Sequence, residues 1–192
     1  MPELYIQTAR DMGQLENSEG YKRCIVGNGL KEYNLTQLEY AVWKNVSRMS
    51  SVDQWREEMR SKIENKTRKR IEQIEEMFLA AKLMVPWNFR NIDDPELCNI
   101  YVTRNGFAFG AVKDKWVAAL QDNSEKYTFS EEDYRIWVGA TSTRLLVDVM
   151  EDLVDWYGYS EEQAFEAVVR KAKDFIRLGL WSAEYLDLEE EA

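Results

Sequence analysis

Positive charge is concentrated in one short segment of the chain, residues 60–70, which holds six bases and one acid. The bases are Arg60, Lys62, Lys66, Arg68, Lys69 and Arg70. Lysine and arginine neutralise phosphates, and the free backbone N–H groups at a helix N-terminus bind phosphate as well. We therefore expect this segment to contact nucleic acid, although the net charge of −10 makes the chain as a whole repel it.

The same segment has a second interpretation as a solvated helix face. Acidic residues flank it at helical spacing, and they could neutralise its bases through ion pairs along the helix. These acids are Glu57, Glu58, Glu72, Glu75 and Glu76. A specific site for an acidic partner is a third possibility, and the sequence leaves all three open.

Aromatic residues form the second group with possible chemistry, because tryptophan and tyrosine are enriched at protein interfaces. The seven tryptophans exceed what two small cores need, so one or more could lie on an interface. An aromatic stripe at helical spacing is nevertheless more typical of a core. Tyr157 and Tyr159 flank Gly158 in a predicted turn, and together with Trp156 they are the predicted partner-binding residues.

Enzymatic chemistry has little support in the sequence. The chain has no histidine, which excludes Ser–His–Asp and Cys–His catalysis and histidine metal sites. Adjacent acids such as Glu131 and Glu132 do not face one another on a helix, and no phosphate loop or dinucleotide fingerprint occurs. Cys24 and Cys98 fit no metal or redox spacing. We expect no enzyme activity, no catalytic residue, no cofactor and no metal.

Two segments that lie 94 residues apart share one pattern, which indicates a duplicated unit. Residues 33–43 and 127–137 both read Y-x-[LF]-[TS]-x-x-[ED]-Y-x-[VI]-W. Thr36 and Ser130 occupy the N-cap position of a helix, each with an acid three residues later, and this arrangement is typical of a capping box. A chance likeness between two amphipathic helices is the alternative.

The repeat predicts three helices in each unit. In unit one the first helix spans about Gln37 to Arg48, and Ser51 caps the second. In unit two Ser160 caps the third helix after the turn at Gly158. Without a gap, the offset of 94 matches Ile71, Ile74, Phe78, Ala81 and Trp87 with Phe165, Val168, Ala172, Phe175 and Trp181.

Strand signals are shorter and centre on one predicted hairpin. Residues 98–103 alternate between apolar and polar, and they meet a second apolar run, residues 107–112, across Asn105 and Gly106. Asn-Gly supplies the positive φ angles of a tight turn, so these runs predict a β-hairpin. From the sequence, this hairpin could belong to unit one or to unit two.

Three helices, the second and third joined by a turn, followed by a hairpin, is the element order of a winged helix unit. In this respect the chain resembles a tandem winged helix-turn-helix protein over most of its length. The resemblance implies a mostly helical α+β fold of two winged-helix-like units related by an internal repeat. Unit one covers residues 1–94 and has a basic third helix, and unit two covers residues 95–192 and has an acidic C-terminal tail.

The resemblance also assigns roles to the two units, because the turn and third helix of a winged helix enter the major groove. It implies that unit one binds double-stranded DNA through Lys62, Lys66, Arg68, Lys69 and Arg70, with Arg104 on the wing. Unit two has three acids and no base at the equivalent place, so we expect it to hold a protein partner or a second copy of the chain.

The favoured function is therefore non-enzymatic regulation of transcription, through DNA or through a DNA-bound complex. The alternative is an acidic tandem winged-helix module for protein–protein interaction that binds no nucleic acid. The uncharged stretches are too short to span a membrane, and the N-terminus lacks the features of a secretion signal. We expect no membrane contact and a cytoplasmic location.

Overall fold

The chain folds into two units, each with its own buried core. A computed structural model describes residues 4–16, 18, 20, 22–63, 70–112, 115–120 and 125–186. Unit one comprises the described residues up to Asn88 together with residues 184–186, and unit two comprises the described residues of 89–183. None of the described helices has the length and apolar character that crossing a membrane requires.

Unit one places four strands before three helices and ends on a fifth strand. The elements are β1 (Tyr5–Gln7), β2 (Arg10–Glu16), β3 (Lys22–Asn28), β4 (Lys31–Leu35), α1 (Gln37–Trp43), a 3-10 helix (Val46–Arg48), α2 (Val52–Ile63), α3 (Ile71–Ala80) and β5 (Met84–Pro86). An antiparallel sheet has the order β2-β3-β4, and β1 pairs antiparallel with β5. Apolar side chains from all three helices bury together with those of β1, β3 and the residues around β5.

Unit two repeats this order with one additional short strand. The elements are a 3-10 helix (Leu97–Asn99), β6 (Ile100–Arg104), β7 (Phe107–Val112), β8 (Lys115–Ala119), β9 (Lys126–Phe129), α4 (Glu131–Gly139), β10 (Arg144–Leu145), α5 (Leu146–Tyr157), α6 (Glu161–Arg177) and β11 (Trp181–Tyr185). An antiparallel sheet has the order β7-β8-β9, and β6 lies between β10 and β11 in a second sheet.

The predicted fold class, a mostly helical α+β protein of winged-helix-like units, is wrong. Of the described residues 43% are helical and 31% lie in strands, and they form six helices and four small antiparallel sheets in a mixed α/β fold. Strands are more extensive than the sequence pattern indicates; β2, for example, is exposed along nearly its whole length and so lacks the alternation that predicts a strand. In both units the three-stranded sheet also precedes the helices instead of following them.

The helices begin at the predicted caps. The Thr36 hydroxyl accepts the Glu39 N–H at 3.2 Å, and the Glu39 carboxylate accepts the Thr36 N–H at 2.9 Å. Ser160 and Gln163 exchange the same pair of bonds. Each box satisfies backbone donors that a helix N-terminus leaves free, so the predicted box at Thr36 and the predicted cap at Ser160 are confirmed. The predicted box at Ser130 forms only in part, because the Ser130 hydroxyl accepts the Asp133 N–H at 3.1 Å whereas the Asp133 carboxylate pairs with Lys171 at 2.7 Å. Helix α1 ends at Trp43, five residues before its predicted end, and a 3-10 helix follows.

The Asn105-Gly106 segment does not form the predicted hairpin, because β6 and β7 belong to different sheets. The Asn105 side chain donates to the Gly179 carbonyl at 3.0 Å, and its N–H donates to the Leu180 carbonyl at 2.8 Å. Gly106 has a φ of 88°, and a Cβ there would lie 2.1 Å from the carbonyl oxygen of Ala119. Asn105 and Gly106 therefore connect two sheets of unit two at a point where the backbone passes close to Ala119.

A buried tryptophan closes the core of each unit with the same hydrogen bond. Trp43 in α1 donates from Nε1 to the Leu83 carbonyl at 3.0 Å, and Trp137 in α4 donates to the Leu180 carbonyl at 3.2 Å. The tryptophans are 94 residues apart, whereas the two leucines are 97 apart. The predicted gapless alignment therefore fails after the second helix.

The third helices match one another with a shift of three residues. Phe78 and Phe175 are the equivalent positions, because they make the same backbone hydrogen bond. The Phe78 carbonyl accepts the Leu83 N–H at 2.9 Å, and the Phe175 carbonyl accepts the Leu180 N–H at 2.8 Å. The predicted pairing of Phe175 with Ala81 is wrong by this shift, as is the pairing of Trp181 with Trp87. The second helices keep the offset of 94 at both ends.

A polar network lies inside unit one. Glu75 of α3 is buried; it accepts the Tyr5 hydroxyl at 2.5 Å and two Arg56 nitrogens at 2.9 and 2.7 Å. Burial and the hydrogen bond to Glu75 raise the pKa of Tyr5 to about 12. A buried carboxylate is tolerated only with such partners, so this network ties β1 to α2 and α3.

We predict that Gly106→Ala destabilises unit two by more than about 2 kcal/mol, because it adds a backbone clash to the strain of a positive φ. The matched control is Gly110→Ala, where φ is 77° and a Cβ would meet nothing within 4 Å. The control should cost only about 1 kcal/mol. Thermal unfolding of both variants measures the difference in stability. An equal loss of stability in the two variants would contradict the close approach of Gly106 to the Ala119 backbone.

We predict that Tyr5 stabilises unit one below pH 10 and that this contribution is lost as the pH rises through about 12. The sign follows because the folded state holds the phenol proton more tightly than the unfolded chain, whose tyrosine pKa is about 10. At pH 8, Tyr5→Phe should cost about 1.5–3 kcal/mol, the value of a hydrogen bond to a charged group. The difference from wild type should shrink in alkaline denaturation curves; a difference independent of pH would oppose the assignment.

Candidate partner-binding site

The basic segment is largely neutralised where the structure describes it. Lys62 Nζ lies 2.5 Å from Glu58 Oε1, and Arg60 Nη2 lies 2.8 Å from Glu72 Oε1. Arg70 is exposed and precedes the first residue of α3. The remaining predicted phosphate ligands fall outside the described residues: Lys66, Arg68 and Lys69. The ion pairs support the interpretation of this segment as a solvated helix face.

Arg104, the predicted wing contact, lies at the end of β6 and not at a hairpin tip. Its guanidinium carbon lies 4.9 Å from the ring centroid of Trp137, and its N–H donates to the Ala140 carbonyl at 2.6 Å. Trp137 is fully buried, so Arg104 covers the edge of its own core. This cation–π contact gives Arg104 a structural role within unit two.

Two of the three predicted partner-binding residues, Trp156 and Tyr157, line one cleft in unit two. The cleft has a volume of about 290 Å³ and lies between the end of α4 and helix α5. Trp156 and Tyr157 line it from the last turn of α5, with 77% and 43% of their surfaces exposed. Arg135, Arg144 and Asp152 line it as well.

Helical periodicity explains why Trp156 and Tyr157 occupy this place. The buried face of α5 includes Val149 and Leu153, and residues three and four positions beyond Leu153 continue the same face. Helix α5 ends at Tyr157 because Gly158 adopts a left-handed conformation with a φ of 71°. The two aromatic side chains therefore extend the apolar stripe beyond the core that the unit itself covers.

Arginine side chains fix the walls of the cleft. Arg144 forms two hydrogen bonds with the Asp152 carboxylate and donates to the Gly139 carbonyl at 3.3 Å, which ties the end of α4 to α5. The bond to Asp152 raises the pKa of Arg144. The guanidinium carbon of Arg135 lies 4.3 Å from the ring centroid of Tyr157. The cleft is therefore held open by partnered charges.

Tyr159 differs from the other two predicted partner-binding residues. It is half-buried, and its hydroxyl donates to Glu132 at 2.8 Å, a bond that raises the pKa of Tyr159. The structure thus places Tyr159 as a brace between α4 and the turn that precedes α6. Trp156 remains the side chain of this group with the most surface available to a partner.

The equivalent position in unit one shows that the fold does not require an aromatic residue here. Lys62 is the counterpart of Trp156 in the second helix, and Ile63, which is fully buried, is the counterpart of Tyr157. Exposure of a tryptophan is unfavourable unless something covers it, since it buries more apolar area than almost any other side chain. Trp156 is therefore a candidate interaction residue of unit two.

The sequence indicated the aromatic residues but not the cleft beside them. Arg144 and Asp152 carried no motif; their only signal is the spacing of Arg144, Asp148 and Asp152 at four-residue intervals, which suits ion pairs on a helix. Arg144 precedes α5 and reaches along it. Among the residues that the structure describes, no group of three or more potential metal ligands comes together.

We predict that Trp156→Lys changes the free energy of unfolding by less than about 0.5 kcal/mol, because the side chain is largely exposed. Asp152→Ala should cost about 1–3 kcal/mol, because it leaves the half-buried Arg144 without its carboxylate. Urea denaturation of both variants provides the comparison. A large loss for Trp156→Lys would make Trp156 a structural residue.

Comparison of the chain with protein-family models, with curated proteins and with solved structures gives no match. The resemblance to tandem winged helix-turn-helix proteins therefore receives no support from these comparisons.

Proposed function

We propose that the protein is a protein–protein interaction module that holds its partner at the cleft of unit two. The observation that carries this proposal is the exposed Trp156 beside a cleft whose walls are already fixed. Interfaces concentrate their binding energy in a few aromatic and arginine side chains next to pockets. A cleft of this kind suits one anchoring side chain of a partner, surrounded by weaker contacts.

The alternative of DNA binding through unit one has weaker support. Two of its predicted contacts now have other partners: Lys62 binds Glu58, and Arg104 covers Trp137. The ion pair of Lys62 would have to break before a phosphate could replace the Glu58 carboxylate. With a net charge of −10, the chain also lacks the long-range attraction that supports non-specific DNA binding.

The partner site can be tested with a photo-crosslinking amino acid in place of Tyr157, which preserves an aromatic ring in the cleft. We expect a discrete crosslinked partner in cells. The crosslink should disappear when Trp156→Lys is added, because the anchor is lost, and it should persist with Phe109→Lys. Phe109 is a suitable control because it is a similarly exposed aromatic residue on β7 that does not line the cleft.

The same chain should not bind a random DNA duplex at low ionic strength in a fluorescence anisotropy titration. A DNA affinity that falls steeply with salt and is lost when Arg68, Lys69 and Arg70 become Glu would instead support the transcription regulator. A crosslink that is absent, or that survives Trp156→Lys, would contradict the interaction module.

A further inference from the structure

We infer that the partner bound at the cleft is basic and that it places a lysine or arginine side chain on the ring of Trp156. This inference rests on the proposed function and specifies the chemistry of its partner. Three independent features of unit two support it. They are the negative charge of the chain around Trp156, the uncovered face of the Trp156 indole, and the presence of Trp156 where unit one has Lys62.

Helix α5 and the turn after it, which carry Trp156 and Tyr157, are strongly negative, whereas the lining of the cleft itself includes Arg135 and Arg144. Residues 146–162 contain six acids and no base. Arg144 neutralises Asp152 and approaches Asp148 at 3.9 Å. The other four are exposed and have no ion pair with any described residue: Glu151, Asp155, Glu161 and Glu162. Because like charges destabilise one another at helical spacing, a cation from outside would relieve this repulsion.

Trp156 offers a ring face that suits such a cation. Within unit two, Arg135 covers Tyr157 and Arg104 covers the buried Trp137. No cation of the described chain lies over Trp156. Tryptophan binds a guanidinium or ammonium group more strongly than the other aromatic side chains do, and the interaction gains strength when a partner excludes water.

Unit one shows what the second helix does when it supplies its own cation. Lys62 occupies the position of Trp156 and pairs with Glu58 at 2.5 Å, one turn before it. The second helix of unit two is also acidic, and it has an additional acid, Asp155, at the position where unit one has Ser61. Lys62 of unit one is thus replaced by an aromatic ring, and Asp152, the counterpart of Glu58, pairs with Arg144 instead. Asp155, next to Trp156, has no ion pair with a described residue and is the acid that a cation of the partner would meet.

The probe for this inference is a synthetic peptide of alternating arginine and alanine, compared with a peptide in which glutamate replaces arginine. Titration of the whole protein should show binding of the arginine peptide alone, with a shift of the Trp156 indole N–H in NMR spectra. Trp156→Lys should weaken binding at least tenfold, since it removes the ring and adds repulsion. Glu151→Gln with Asp155→Asn should weaken it and reduce its salt dependence.

Phe109→Lys serves again as the control, because it adds the same charge at a distance from the cleft. Equal weakening by Phe109→Lys and Trp156→Lys would show that the peptide follows only the net charge, and it would overturn the inference. Binding of the glutamate peptide with equal strength would overturn it as well. If the crosslink at residue 157 depends on Trp156 but the arginine peptide does not bind, the interaction module stands and the basic partner is rejected.

Discussion

Each unit depends on one constraint, which is that a tryptophan buried in its first helix must find a hydrogen-bond acceptor inside an apolar core. Trp43 and Trp137 meet this requirement at the carbonyls of Leu83 and Leu180, just before the last strand. Buried polar atoms without partners are costly, so the chain after the third helix has to pass the first helix at this point. The bond thus fixes how the beginning and the end of the helical segment meet.

This constraint also explains where the two units agree and where they differ. Positions around the tryptophan bond remain equivalent even though the third helices are shifted by three residues, because the carbonyl has to reach the indole in both. On the surface no comparable constraint acts. Lys62 and Trp156 can therefore occupy the same helical position, one satisfied by a carboxylate of its own unit and the other left with an exposed ring.

Electrostatics in this protein is decided by pairing more than by composition. The basic segment of unit one, residues 60–70, has a net positive charge. Of its residues that the structure describes, Arg60 and Lys62 each contact a carboxylate. In unit two the opposite holds, because Glu151 and Asp155 have no base within reach on their own helix. The charges that can attract a partner are those that remain unpaired after folding, and Glu151 and Asp155 are among them.

The sequence by itself determined the local features. Thr36, Ser160 and Gly158 set helix boundaries through bonds and dihedral angles that involve only neighbouring residues, and the spacing of apolar side chains placed the helices. The sequence also predicted Trp156, Tyr157 and Tyr159 as partner-binding residues, which stays a prediction, and it gave no sign of the cleft beside the first two. These results follow because capping and periodicity act over one or two turns of chain.

Only the tertiary structure decided which segments pair. Asn105 and Gly106 satisfy the same local requirement in a hairpin and in a crossing between sheets, so their sequence cannot distinguish the two. The choice depends on Gly179, Leu180 and Ala119, which are distant in sequence and supply the acceptors and the close backbone approach. The bonds of Arg144 at the cleft are short-range, reaching five residues back to Gly139 and eight forward to Asp152, and the four-residue spacing of Arg144, Asp148 and Asp152 was their only signal in the sequence.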